Sequence, residues 1–221
     1  MATFDLEEQE QLDNLKAFWA KWGNLITTLV TLALLAFAGV NGWNWWQREQ
    51  GLKGSVLYDE IERAHEAKDA DKALRLWQQM QDKLPRTTYA GHGALLTAQS
   101  LQEAGKSDAA IPVLEWAIQK AQPDALGELA ALRLAGLHLE AKRFEPALAA
   151  LDKVKSDAFA ALAADKRGDV AQLQGKLDEA RSQYSKAFQG LAEDQGYRRL
   201  VEAKLMALAV DPSTLQKSEK R

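Results

Sequence analysis

The chain of 221 residues carries 28 Lys and Arg against 31 Asp and Glu, a formal net charge of −3, and has no cysteine. Without a basic field nothing is available to neutralise phosphates, which excludes a nucleic-acid binder. Without thiols there are no disulfides, no cysteine metal ligands and no thiolate chemistry.

Residues 1–23 form an acidic tail in which Asp5, Glu7, Glu8, Glu10 and Asp13 outnumber Lys16 and Lys21. An uncharged run follows, LITTLVTLALLAFAGV from Leu25 to Val40, and five of the seven tryptophans bracket it: Trp19 and Trp22 before, Trp43, Trp45 and Trp46 after. A helix running the 21 residues from Trp22 to Trp43 covers about 31 Å, close to the hydrocarbon thickness of a bilayer. Indole combines an apolar body with one N–H donor and prefers the headgroup boundary, so the five tryptophans read as two membrane-interface belts around a spanning helix over 24–46. Ala36-Phe37-Ala38 has the shape of a leader-peptidase site, but the long acidic region before it and the aromatic belt after it favour a retained anchor. A buried core helix would not end in tryptophans on both sides without a polar face. Lys16 and Lys21 are matched by Arg48 and Lys53, so charge leaves the orientation undecided. A short tail is easier to retain in the cytoplasm than a large folded domain, which favours a cytoplasmic N-terminus.

Residues 51–221 are long enough for one domain with a sizeable core. Apolar residues recur there at three- and four-residue steps and no β-branched alternation is sustained, so the expected class is all-α. Four stretches align: EAKDADKALRLW, EAGKSDAAIPVL, EAKRFEPALAAL and LQGKLDEARSQY. Each ends one helix, turns, and starts the next with an alanine in register: Ala73, Ala110, Ala147 and Ala180, spaced 37, 37 and 33. Four residues on stand Trp77, Leu114, Leu151 and Tyr184. Such a period with helix–turn–helix content predicts a solenoid of about four hairpins, resembling tetratricopeptide repeats. In GYRRLVEAKLMALAV, Tyr197, Leu200, Val201, Leu205 and Leu208 form an apolar stripe for a capping helix that Pro212 should stop, leaving STLQKSEKR as a frayed tail. Trp77 and Trp116 are expected in the core, and Gly91 and Gly93 at a tight helix contact.

No phosphate loop, nucleophile elbow or HExxH motif is present, and His65, His92 and His138 fall on different hairpins without paired carboxylates. The expectation is a non-enzyme with no cofactor and no metal site. Solenoids bind partners on the wall made by the first helices. Counting 15, 11 and 8 residues back from the register alanines puts on that wall Tyr58, Glu62 and His65, then Leu95, Gln99 and Gln102, then Leu132, Gly136 and Leu139, with Glu66, Glu103, Glu128 and Glu140 nearby.

The acidic DLEEQEQLDNLKAFWAKWGN, the span ending in GWNWWQREQ and the helical repeats together resemble the ancillary subunit family of the bacterial SecYEG translocon. That resemblance covers the whole chain and is most specific over 5–50. It implies an inner-membrane protein with periplasmic repeats beside SecYEG, partnered by a membrane-anchored periplasmic folding factor of the peptidyl-prolyl isomerase type and by exported client proteins. It carries over no site residue. Two other classes stay open from the residues alone: a scaffold for another envelope complex, or a regulator sequestering a cytoplasmic response regulator on the acidic tail.

Overall fold

A computed structural model describes residues 6–192 and 196–219, with side chains over 9–192 and 196–215. Ten helices make up its regular structure: α1 (Leu6–Glu66), α2 (Ala70–Lys83), α3 (Thr88–Glu103), α4 (Ser107–Lys120), α5 (Asp124–Glu140), α6 (Phe144–Leu151), α7 (Asp157–Leu173), α8 (Leu177–Gly190), α9 (Gly196–Ala207) and α10 (Pro212–Glu219). The chain divides into two compact units, Met1–Gln50 and Gly51–Arg221.

In the first unit, α1 is long and apolar enough to cross a membrane. Leu25, Leu29, Leu32, Leu35, Phe37 and Val40 are all exposed, as are the five bracketing tryptophans. Its polar side chains turn back onto the helix: Thr27 Oγ1 donates to the Gly23 carbonyl at 2.7 Å, Thr31 to Thr27 at 2.8 Å, and Asn41 Nδ2 to Phe37 at 3.0 Å. In hydrocarbon no water could satisfy those groups, so internal bonding is what a spanning helix requires. Trp43 and Trp46 pack with ring centroids 5.2 Å apart.

The second unit is built from one recurring turn. In each hairpin the residue five before the register alanine adopts a left-handed backbone: Lys68 at φ 57°, Gly105 at 74°, Lys142 at 54° and Gly175 at 75°. The next N–H then reaches back to a carbonyl five residues earlier, as in Asp69 to Ala64 at 2.8 Å, Lys106 to Leu101 at 2.8 Å, Arg143 to His138 at 2.7 Å and Lys176 to Ala171 at 2.9 Å. These bonds satisfy carbonyls that the first helix leaves orphaned, and they aim the chain back along it. The hairpins so formed pair the end of α1 with α2, α3 with α4, α5 with α6, and α7 with α8.

All four register alanines are fully buried, and Trp77, Leu114, Leu151 and Tyr184 are buried four residues on. A methyl there lets the helices close, and the larger side chain fills the space one turn later. Gly91 and Gly93 sit at close contacts: a Cβ on Gly91 would lie 2.8 Å from Leu126 Cδ1, and one on Gly93 3.1 Å from Ile61 Cδ1. One core cluster runs from Ile61 to Ala163 through the first three hairpins, and another from Ala161 to Leu208 through the fourth hairpin and α9.

Three expectations need correction. STLQKSEKR is not a frayed tail throughout: Pro212 opens α10, where proline's missing N–H and fixed φ suit a first helical turn. Ala209 is left-handed at φ 58° and Val210 N–H reaches back to Leu205 at 3.0 Å, so α9 and α10 form a fifth, short hairpin on the same turn. Leu200 is 49% exposed and drops out of the capping stripe, which Val201, Leu205 and Leu208 carry. Trp77 is buried, but Trp116 is only half-buried, edge-on to it with centroids 5.5 Å apart.

Candidate functional site: the accessible face of the first helices

Along the first helix of every hairpin one stripe stays accessible, at 14, 11 and 7 residues before the register alanine, with 18 added in α3, α5 and α7. These steps of four, three and four residues line up on one helical face. At the first of these positions stand Asp59, Leu96, Arg133 and Lys166, at the next Glu62, Gln99, Gly136 and Asp169, and at the last Glu66, Glu103, Glu140 and Leu173. The added position brings His92, Leu129 and Leu162. The stripe is therefore acidic on α1, carries half-buried leucines with Glu103 and Glu140 on α3 and α5, and adds Arg133 on α5 and Lys166 with Asp169 on α7.

Of the wall residues expected from sequence, Glu62, Gln102 and the half-buried Tyr58, His65, Gln99 and Gly136 are accessible. Leu95, Leu132 and Leu139 are buried, 6%, 6% and 8% exposed. Leu95 and Leu132 point into the core, and Leu139 packs with Ala147 and Val170. A count of 15 lands one residue off the stripe, and one residue rotates a helical side chain by about 100°. Leu96, Leu129 and Arg133 were missed for that reason, although the 37-residue spacing already paired Leu96 with Arg133 and His92 with Leu129.

Much of the polarity on and beside the stripe binds one hairpin to the next. His65 Nδ1 lies 2.9 Å from Ser100 Oγ, Gln102 Nε2 donates to Glu140 at 3.2 Å, and Arg133 Nη1 donates to the Leu95 carbonyl at 2.9 Å. Glu128 accepts the N–H groups of Lys155 and Ser156 at 3.2 and 3.0 Å and the Ser156 hydroxyl. That hydroxyl bond chiefly holds its carboxyl below the usual range, so Glu128 caps the entry to α7. What is left open is the aromatic group Tyr58, Tyr89 and His92, with Tyr58 centroids 5.9 Å and 6.3 Å from the other two, and the leucines beside it. Burial, then Glu62, raises the Tyr58 phenol, which stays a neutral donor. The stripe offers contact area and hydrogen bonds, and among the described residues no group of three His, Asp or Glu could hold a metal ion.

The family model for a tetratricopeptide repeat-like domain matches residues 16–210. An ancillary SecYEG translocon subunit of Neisseria gonorrhoeae (strain ATCC 700825 / FA 1090) is 30% identical over 204 residues, 92% of this chain and 98% of that one. The chain belongs to the ancillary SecYEG translocon subunit family. A second such subunit, from Aggregatibacter actinomycetemcomitans, is 28% identical over 184 residues, 83% of this chain and 90% of its own length. Membership thus extends over the apolar segment and the repeats together, since the matched region opens upstream of Leu25.

Proposed function

We propose that this protein is a non-catalytic adaptor of the SecYEG translocon, held in the bacterial inner membrane by the span over 24–46 with its N-terminus in the cytoplasm and its repeats in the periplasm. That both relatives are ancillary SecYEG translocon subunits supports the translocon association. In this reading the repeats receive newly exported chains and pass them to periplasmic folding factors, among them a membrane-anchored chaperone of the peptidyl-prolyl isomerase type. The observation that carries it is the accessible stripe, where half-buried Leu96 and Leu129 lie between charged residues on neighbouring hairpins. Apolar anchors of that kind commonly dominate binding energy, while rim charges set register and rate. The contact set is accordingly Tyr58, Glu62, His65, Leu96, Gln99, Gln102 and Leu129; the buried Leu95, Leu132 and Leu139 support it from below.

The test replaces Leu96 and Leu129 together with glutamine in the full chain. Co-purification of SecY should persist, because the span is untouched, while the isomerase-type partner is lost from a variant with unchanged helicity. Loss of SecY with retention of the periplasmic partner would reverse the assignment. A reporter active only in the periplasm should work when fused after Arg221 and fail when fused before Met1.

A further inference from the structure

Six residues after each register alanine the repeat places a solvated side chain: Gln79, Lys153 and Lys186 are all exposed. In the second hairpin that position is Trp116. The fold does not need an indole there, since three sister positions do without one, yet Trp116 is half-buried and rests edge-on against Trp77. Trp77 donates its N–H to the Ala90 carbonyl at 3.3 Å, whereas the Trp116 N–H has no partner among the described residues. A groove of about 520 Å³ opens over Trp116, lined by Pro85, Arg86, Lys120 and Gln122.

The charge of this lining has one sign. Arg86 and Lys120 are exposed and join no ion pair among the described residues, and no carboxylate faces the groove. Three other grooves among the described residues mix signs: Asp157 with Arg167 and Lys186, Asp108 and Glu140 with Lys106 and Arg143, Glu115 with Lys153. An indole face, a proline and two unpaired cations complement an occupant that brings carboxylates around an apolar or aromatic side chain.

We propose that the groove over Trp116 is a second docking site, distinct from the first-helix stripe, for an acidic segment of a partner protein that inserts one aromatic side chain between Pro85 and Trp116 and sets its carboxylates on Arg86 and Lys120. The stripe presents mainly carboxylates at its α1 end, so the two surfaces select segments of opposite charge. This assignment stands independently of the translocon reading. A lipid headgroup would need only the cations, whereas this groove also presents Pro85 and the Trp116 indole.

The experiment titrates a short dye-labelled peptide, glutamates around one phenylalanine, into the detergent-solubilised full chain and follows its anisotropy. Arg86→Glu/Lys120→Glu, at exposed and unpaired positions, should keep native helicity, weaken the acidic peptide at least tenfold, and bind the lysine counterpart of the peptide instead. Trp116→Gln, which restores the Gln79 pattern, should weaken the phenylalanine peptide but not one with serine in its place. Equal affinity of the charge-reversed variant and the unaltered chain for the acidic peptide overturns the proposal. Capture of phosphatidylglycerol vesicles through Arg86 and Lys120 without peptide binding overturns it as well.

Discussion

The first three hairpins and the C-terminal end of the unit solve the same joining problem by different physics. Between hairpins one and two, Lys106 Nζ meets Asp71 at 2.7 Å, and between two and three Arg143 meets Asp108 at 3.0 Å, all exposed at the surface above an apolar core. At the end the charges move inside. Lys204 of α9 contacts Asp165 at 2.8 Å and Asp169 at 2.6 Å, Tyr197 donates to Asp165 at 2.6 Å, and Tyr184 to Asp169 at 2.8 Å. Asp165 is completely buried and occupies the register position of Leu95 and Leu132. Burial first, then these carboxylates, pushes both phenols far above the ordinary tyrosine range, so they serve as permanent donors. Where another repeat could follow, hydrophobic packing suffices; where the array closes, a charged lock specifies one partner helix.

The strongest way to break this contrast is Lys204→Met, which strands the Asp165 carboxylate and should cost about 3–5 kcal/mol, against at most about 1 kcal/mol for Lys106→Met on the exposed rung. Denaturant unfolding of the full chain followed by circular dichroism reads both, and similar losses would erase the distinction. Ala147→Trp should cost about 1–3 kcal/mol or more by overpacking a fully buried position, while an exposed change such as Lys153→Ala stays within about 0.5. Equal melting temperatures would refute the register.

The turns sharpen the comparison within the array. Lys142→Gly should stabilise by about 0.5–1 kcal/mol and Gly105→Ala should destabilise by about 1 kcal/mol, because only glycine adopts the left-handed backbone without strain. Nothing lies within 4 Å of a Cβ added at Gly105, so sterics with neighbours cannot account for its loss. The smallest effect concerns His138, which stands where the second hairpin has the buried Leu101. Its Nδ1 has no hydrogen-bond partner among the described residues; burial, reinforced by Arg143 and opposed by Glu115, lowers its proton affinity. The unfolded chain then binds the proton more readily, so stability falls as pH drops through the ordinary histidine value of about 6.5. His138→Leu should flatten the melting temperature between neutral and mildly acidic pH, and an unchanged slope would assign that dependence to other groups.

The register alanines and the bracketing tryptophans were legible because spacing alone carries them. The accessible stripe was not, since its offset from the alanines is set by how each first helix rotates against its neighbours, and a one-residue error exchanges Leu95 for Leu96. The fifth hairpin was hidden because its left-handed turn residue is Ala209, where sequence reasoning looks for glycine or asparagine. Lys68 and Lys142 concealed the same conformation, recoverable only by aligning them with Gly105 and Gly175. The buried lock was hidden because nothing local tells Asp165 from a solvated aspartate; its partners lie 32 and 39 residues downstream.

Asp165 also bears on how such a protein can change length over generations. A duplication of residues 107–143 would carry Asp108 and Arg143 together, so each new copy would arrive with both halves of the surface rung and an apolar residue at the Leu132 position. A duplication of the fourth hairpin would place a second buried carboxylate where no Lys204 follows, and its product would misfold. Insertions upstream of Asp165 should therefore leave its contact with Lys204 intact and those beyond it should not, which makes that one aspartate the punctuation mark of the array.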